Sequence, residues 1–270
     1  MVYDDIIEYF SLGKLGKEKD SEDVIVTSPN FYCVIDGVTS KFPITYEDKS
    51  SGRYCAELLA RAVTTLDKDV DGTSALEILD SAIKKAYGGK EITQENKMQA
   101  CVIIYSKSKR QIWSYGDCAL MINGVSFDHT KRIDKLMEDL RAFAISAYLK
   151  EGGDENALYD CDVGRESILP FLKKQALFAN TDHYFGYGVI DGCGINKNHI
   201  KIYEVKEGDR VVLASDGYPQ LFGTLEKSEE YLQYVLEKDP LSINENKQTK
   251  MKKSEQLSFD DRSYLSFIVK

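Results

Sequence analysis

The alternation of apolar and polar positions divides the chain into strand-like and helix-like stretches. Residues 24–27 and 30–35 read as two short strands joined at Ser28-Pro29-Asn30, the second ending at Asp36-Gly37. Apolar residues over 54–63 recur at helical spacing and predict an amphipathic helix. Residues 74–87 predict another, capped by Thr73 or Ser74 with Glu77 completing a capping box, and ended by Gly88-Gly89. Residues 98–105, 110–115 and 119–122 read as strands, the last running into the hairpin signal Asn123-Gly124. Helical periodicity returns over 131–150, breaks at Glu151-Gly152-Gly153-Asp154 and resumes over 165–178. Strands are predicted at 199–205 and 210–215, around Glu207-Gly208-Asp209, and a helix near 227–237. The polar, lysine-rich stretch 239–259 reads as a loop, and 264–269 as a closing strand.

Long helices do not alternate with single strands, which argues against a doubly wound parallel sheet. Hairpins joined in sequence predict antiparallel sheets with paired helices on their outer faces, an α+β fold. The chain has no internal repeat, no low-complexity linker and only five prolines. We therefore expect one domain over residues 1–270, with a longer helical segment at about 130–185.

Composition narrows the function. A hydrophobic fraction of 43% and a charged fraction of 29% are those of a soluble globular chain. The net charge of −9 argues against a nucleic-acid partner held by phosphate contacts. No stretch approaches the roughly 18 apolar residues of a membrane span, and the N-terminus lacks a signal-peptide pattern. The expectation is a cytoplasmic monomer with no membrane partner. None of the six cysteines forms a CxxC pair and histidines number three, so a structural zinc site is not expected.

Four aspartates share one context, each beside a small or turn residue where a strand-like run begins or ends. They are Asp36 before Gly37, Asp117 after Gly116, Asp216 before Gly217, and Asp260 before Asp261-Arg262. Asp-Gly is a common turn, so each position alone is open to that plain reading. Together they are open to another, in which strand ends gather carboxylates at one rim of a sheet. Gathered carboxylates repel unless protonated or neutralised, and their oxygens suit Mg²⁺ or Mn²⁺.

The motifs resemble those of the metal-dependent protein phosphatase 2C family, in family order over nearly the whole chain. Ser21-Glu22-Asp23 resembles its early acidic motif, and Phe31-Tyr32-Cys33-Val34-Ile35-Asp36-Gly37 its strand ending in Asp-Gly. Gly116-Asp117-Cys118 resembles Gly-Asp-Ser, Ala214-Ser215-Asp216-Gly217 matches Ala-Ser-Asp-Gly, and Asp260-Asp261-Arg262-Ser263 resembles the final Asp-Asn-x-Thr. The resemblance implies a four-layer α/β/β/α sandwich and a phosphoprotein serine/threonine phosphatase that hydrolyses phosphomonoesters with a two-metal-activated water. It implies that Asp36 bridges two Mn²⁺ or Mg²⁺ ions, with the Gly37 carbonyl on one and Asp216 and Asp260 on the other. Asp117, with Asp216, would form a third, weaker metal position, and Glu22 and Asp23 would orient water.

The sequence departs from the family in three places. Val38 stands where many members carry a histidine that protonates the leaving group. The usual phosphate-binding arginine before the early acidic motif is absent, leaving Lys17 and Lys19 as candidates without arginine's bidentate fork. The helical segment at 130–185 is longer than the family's flap. Two alternatives stay open: a phosphatase of a small phosphorylated metabolite, and a catalytically weak phosphoprotein binder.

Overall fold

The structure is a computed structural model that describes residues 3–17 and 21–270. Its central strands are apolar at nearly every position because both of their faces are buried. In β3 (Phe31–Gly37), Phe31, Cys33 and Ile35 face one hydrophobic layer while Tyr32 and Val34 face another. In β6 (Ala100–Ser106), Ala100, Val102 and Ile104 share the first layer, and Cys101, Ile103 and Tyr105 the second. One layer lies between a sheet and its helices, the other between two sheets.

In chain order the elements are β1 (Ile6–Leu12), β2 (Val24–Thr27), β3, β4 (Thr45–Tyr46), β5 (Lys49–Ser50), α1 (Ser51–Thr64), α2 (Gly72–Ala86), β6, β7 (Gln111–Tyr115), β8 (Ala119–Ile122) and β9 (Val125–Phe127). There follow α3 (Arg132–Lys150), α4 (Ala157–Asp160), α5 (Val163–Lys174), β10 (Lys201–Glu204), β11 (Arg210–Ala214), α6 (Leu225–Lys238) and β12 (Arg262–Ile268). One sheet has the order β10-β7-β6-β3-β2, the facing sheet β1-β12-β11-β8-β9, and β4 and β5 form a separate ribbon. Every pairing is antiparallel. α1 and α2 cover the first sheet through residues such as Cys55, Leu59, Leu76 and Ile83. The outer face of the second, with Val212, Ala214 and Tyr264, is covered by Tyr218, Leu221 and the start of α6. This is the expected α+β sandwich. Among the described residues, no helix is long and apolar enough to cross a membrane.

Three features differ from the periodicity reading. β1 was not expected, because a register shift between Ile6 and Glu8 breaks its two-residue period. Ile6 therefore packs between the sheets while Phe10 packs on the outer face. α2 is capped by Asp71, whose carboxylate accepts from the Ser74 N–H at 3.0 Å and hydroxyl at 2.7 Å. Glu77 is thus free of a capping box and pairs with Lys197 at 3.2 Å. The 239–259 stretch lacks regular structure but is anchored. The fully buried Arg141 guanidinium donates to the carbonyls of Leu241, Ser242 and Gln248. Asp239 accepts from the N–H groups of Ile243, Asn244 and Asn246.

Candidate metal centre

The sheet pairings bring four strand ends to one rim. β11 runs antiparallel to both β8 and β12, with Ala214 opposite Ala119 on one side and Tyr264 on the other. Asp216, just past β11, therefore lies beside Asp117, just before β8, and Asp260, just before β12. From the facing sheet, β3 delivers Asp36, opposite Cys101 in register. One carboxylate oxygen from each of Asp36, Asp117 and Asp216 lies within 4.8 Å of the other two. Asp260 is not in this group. Its carboxylate accepts from Lys250 at 2.5 Å and from Lys14 at 3.5 Å.

The glycines after two of these aspartates answer to crowding rather than to turn geometry, since neither has a positive φ. A Cβ on Gly37 would stand 2.4 Å from the Gly52 carbonyl oxygen and 2.6 Å from that of Glu22. A Cβ on Gly217 would stand 2.0 Å from the Asp261 carbonyl oxygen. Only glycine lets these segments approach closely enough for the carboxylates to meet.

Glu22 and Asp23 lie next to the trio, ahead of β2. The Glu22 N–H donates to Asp261 at 2.8 Å, and its carboxylate accepts from Ser50 at 2.6 Å and from Thr39. Asp261 also accepts from the Lys14 N–H at 2.8 Å. It staples the end of β1 and the Glu22 segment to the start of β12. Asp23 is buried, and its Oδ2 has no hydrogen-bond partner among the described residues.

Charge is distributed unevenly over the rim. Burial, then Asp23 and Asp117, hold the Asp36 carboxyl well above the usual range. Burial, then Asp36 and Asp117, do the same to Asp216, which protein surrounds but solvent still reaches. Burial likewise raises Asp23, partly opposed by Ser215. Burial also pushes Asp117 upward, but Lys131 at 2.6 Å outweighs it and holds that carboxyl low. At Asp260 burial is outweighed by Lys250 and Lys14, which hold it down to about 2. Two acids of the rim are thus neutralised by lysines, and three are left crowded.

Lys14, Lys131 and Lys250 escaped the sequence reading, since none stands in a motif that marks it, and Asp261 stood in the final motif without a role of its own. Lys17 is exposed and makes no ion pair among the described residues, while Lys19 lies outside them. It is Lys14, three positions before Lys17, that reaches Glu22, Asp260 and Asp261. His129 is buried behind Asp117, donating from Nδ1 to the Cys118 carbonyl at 2.7 Å, with Tyr203 hydroxyl 2.8 Å from Nε2.

Above the rim lies a cavity of about 180 Å³. Its walls are residues 38–42, Asp134, part of α5 with Arg165 and Lys173, and Gln248–Lys250 from the anchored loop. The donors that meet at its floor are the carboxylate oxygens of Asp36, Asp117 and Asp216, and Mg²⁺ or Mn²⁺ binds such hard donors at about 2.1 Å. Three carboxylate oxygens within 4.8 Å of one another can therefore share one such ion with little movement. The crowded trio and the unpartnered Asp23 oxygen both fit a cation.

Two facing antiparallel sheets with outer helices match the fold of the PPM-type serine/threonine phosphatases. The catalytic domain of serine/threonine protein phosphatase PstP, solved with two manganese ions, aligns at a TM-score of 0.50 and 13% identity, over 98% of this chain and 99% of that one. The Mycobacterium tuberculosis phosphatase PstP/Ppp gives 0.49 and 12%, over 98% and 99%. The S. agalactiae serine/threonine phosphatase gives 0.49 and 12%, over 97% and 99%. At these identities the likeness is one of fold. No protein-family model and no curated protein matches the sequence.

Proposed function

We propose that the chain is a metal-dependent phosphatase acting on phosphoserine and phosphothreonine in proteins. The observation that carries this reading is the convergence of Asp36, Asp117 and Asp216 within 4.8 Å beneath a cavity with basic walls. Asp36, the Gly37 carbonyl, Asp216 and Asp260 would hold two Mn²⁺ or Mg²⁺ ions, and Asp117 with Asp216 a third, weaker one. When bound, such ions lower the pKa of a water and offset phosphoryl charge.

The chain's own groups do the rest. Lys131 keeps Asp117 ionised, and Lys14 and Lys250 keep Asp260 ionised, so two ligands are ready at neutral pH. Glu22, fixed through Asp261, Ser50 and Thr39, and Asp23 beside it orient the attacking water. Asp134 supplies the acid that Val38 lacks. It lines the cavity, and burial holds its carboxyl above the usual range against the pull of Lys131. It can therefore carry a proton to the leaving oxygen. In this reading the whole chain is one catalytic domain, with residues 130–185 forming a wall of its cavity. Six free thiols support a cytoplasmic setting.

Hydrolysis of p-nitrophenyl phosphate and of a phosphothreonine peptide, with Mn²⁺, with EDTA and in Asp216→Ala, tests the proposal. The expected result is Mn²⁺-dependent turnover of both that the substitution abolishes. No turnover of either, together with no Mn²⁺ binding by calorimetry, would refute it. Turnover of the small ester alone would move the substrate to a phosphorylated metabolite. Mn²⁺ binding without turnover would make the chain a phosphoprotein binder.

A further inference from the structure

Six aspartates and six basic side chains line the cavity, so their formal charges cancel. The pairing among them is uneven. Of the basic residues, Lys97, Lys131 and Lys250 are paired with Asp191, Asp117 and Asp260. Lys41, Arg165 and Lys173 form no ion pair among the described residues.

These three cations are held in place by other means. Lys41 donates to the Thr39 carbonyl at 2.7 Å, in the loop whose Thr39 hydroxyl is bonded to Glu22. Arg165 donates to the Thr249 carbonyl at 2.8 Å, next to Lys250. Lys173 reaches from α5 toward the same loop, its Nζ 5.4 Å from the centre of the Phe42 ring. Burial, followed by the nearness of Lys250 and Arg165, pushes Lys41 down to about 8. Like charges around open space, two of them fixed on backbone carbonyls, are arranged for an anion that arrives from outside.

We infer that Lys41, Arg165 and Lys173 form a second anion subsite beside the metal centre, and that the preferred substrates are phosphoprotein segments with another acidic group next to the phosphoresidue cleaved. The inference rests on the phosphatase reading. The second group is a carboxylate or a second phosphate, both of which accept charge-assisted hydrogen bonds from these side chains.

The test compares peptides carrying a non-hydrolysable phosphonate in place of the phosphoresidue, flanked by alanine, by glutamate or by a phosphothreonine. Binding is read by fluorescence anisotropy in Mn²⁺, without turnover. The wild-type protein is expected to bind at least one acidic peptide about tenfold more tightly than the neutral one, the scale of one charge-assisted hydrogen bond. A gain with glutamate identifies carboxylate recognition, and a gain with phosphothreonine alone identifies phosphate recognition. Lys41→Ala and Lys173→Ala should each reduce that ratio to about twofold or less, a loss comparable to the single contact removed. Lys173 is exposed, so its variant is expected to fold even if Lys41→Ala does not. Equal wild-type affinity for all three peptides, or no binding of any, overturns the subsite. Wild-type turnover of p-nitrophenyl phosphate, measured alongside, tells that failure from a failure of the phosphatase reading.

Discussion

Asp216→Asn keeps the shape of the side chain and removes one of three negative charges that meet within 4.8 Å. At that distance two unit charges repel by about 0.9 kcal/mol in water and about 3.5 kcal/mol at an effective dielectric of 20. Solvent reaches Asp216 through the cavity, so the lower figure governs. With Asp117 neutralised by Lys131, relief of the repulsion with Asp36 stabilises the metal-free protein by about 1 kcal/mol. For a chain of this size that is roughly 2–4 °C in Tm. In Mn²⁺ the order reverses. A site filled at a hundredfold excess over Kd stabilises the wild type by about 2.7 kcal/mol, and a variant short of one carboxylate gains less. Thermal melts of both proteins in EDTA and in MnCl₂ should therefore cross. The pH dependence has a definite sign. The folded pKa values of Asp36 and Asp216 are raised, so their contribution to stability is full below the ordinary carboxylate range and is lost as pH rises through the folded values. Metal-free wild type should melt lower at mildly alkaline than at mildly acidic pH, with a shallower slope in the variant. A variant that melts below wild type in EDTA, yet keeps the full Mn²⁺ shift, would refute the reasoning.

Three further outcomes follow from the same geometry. Lys131→Met leaves the Asp117 carboxylate buried without its partner and should cost about 3–5 kcal/mol in EDTA. Mn²⁺ should recover more of the melting temperature in that variant than in wild type, and equal stability in EDTA would dismiss the pairing as a structural element. Asp134→Asn should lower kcat on a phosphothreonine peptide about a hundredfold, and far less on p-nitrophenyl phosphate, whose leaving group departs without a proton. Equal losses on both substrates would remove Asp134 as the proton donor. Gly217→Ala places a Cβ 2.0 Å from the Asp261 carbonyl, so the rim must open. A loss of about 1–3 kcal/mol and weaker Mn²⁺ binding by calorimetry are expected, and unchanged melting would show that the rim relaxes freely.

Much of this molecule was legible along the chain. The apolar runs 30–35 and 98–105 marked strands, and the 54–63 spacing marked an amphipathic helix. Asp36, Asp117, Asp216 and Asp260 stood out as strand-end acids because a strand end is a local event. What the folded chain decided is which of them face one another. Asp36, Asp117 and Asp216 crowd together, whereas Asp260 is taken up by Lys250 and by Lys14, which lies 246 residues away. β1 stayed hidden because its bulge breaks the two-residue period, and the 239–259 anchor because its holder, Arg141, sits on a distant helix. The reason is the range of the forces. Periodicity, caps and turns act over a few residues and are written in order along the chain. Coulomb energy depends on distances in space, so the balance of acids and lysines at the rim exists only once two sheets have brought remote strand ends within a few ångströms.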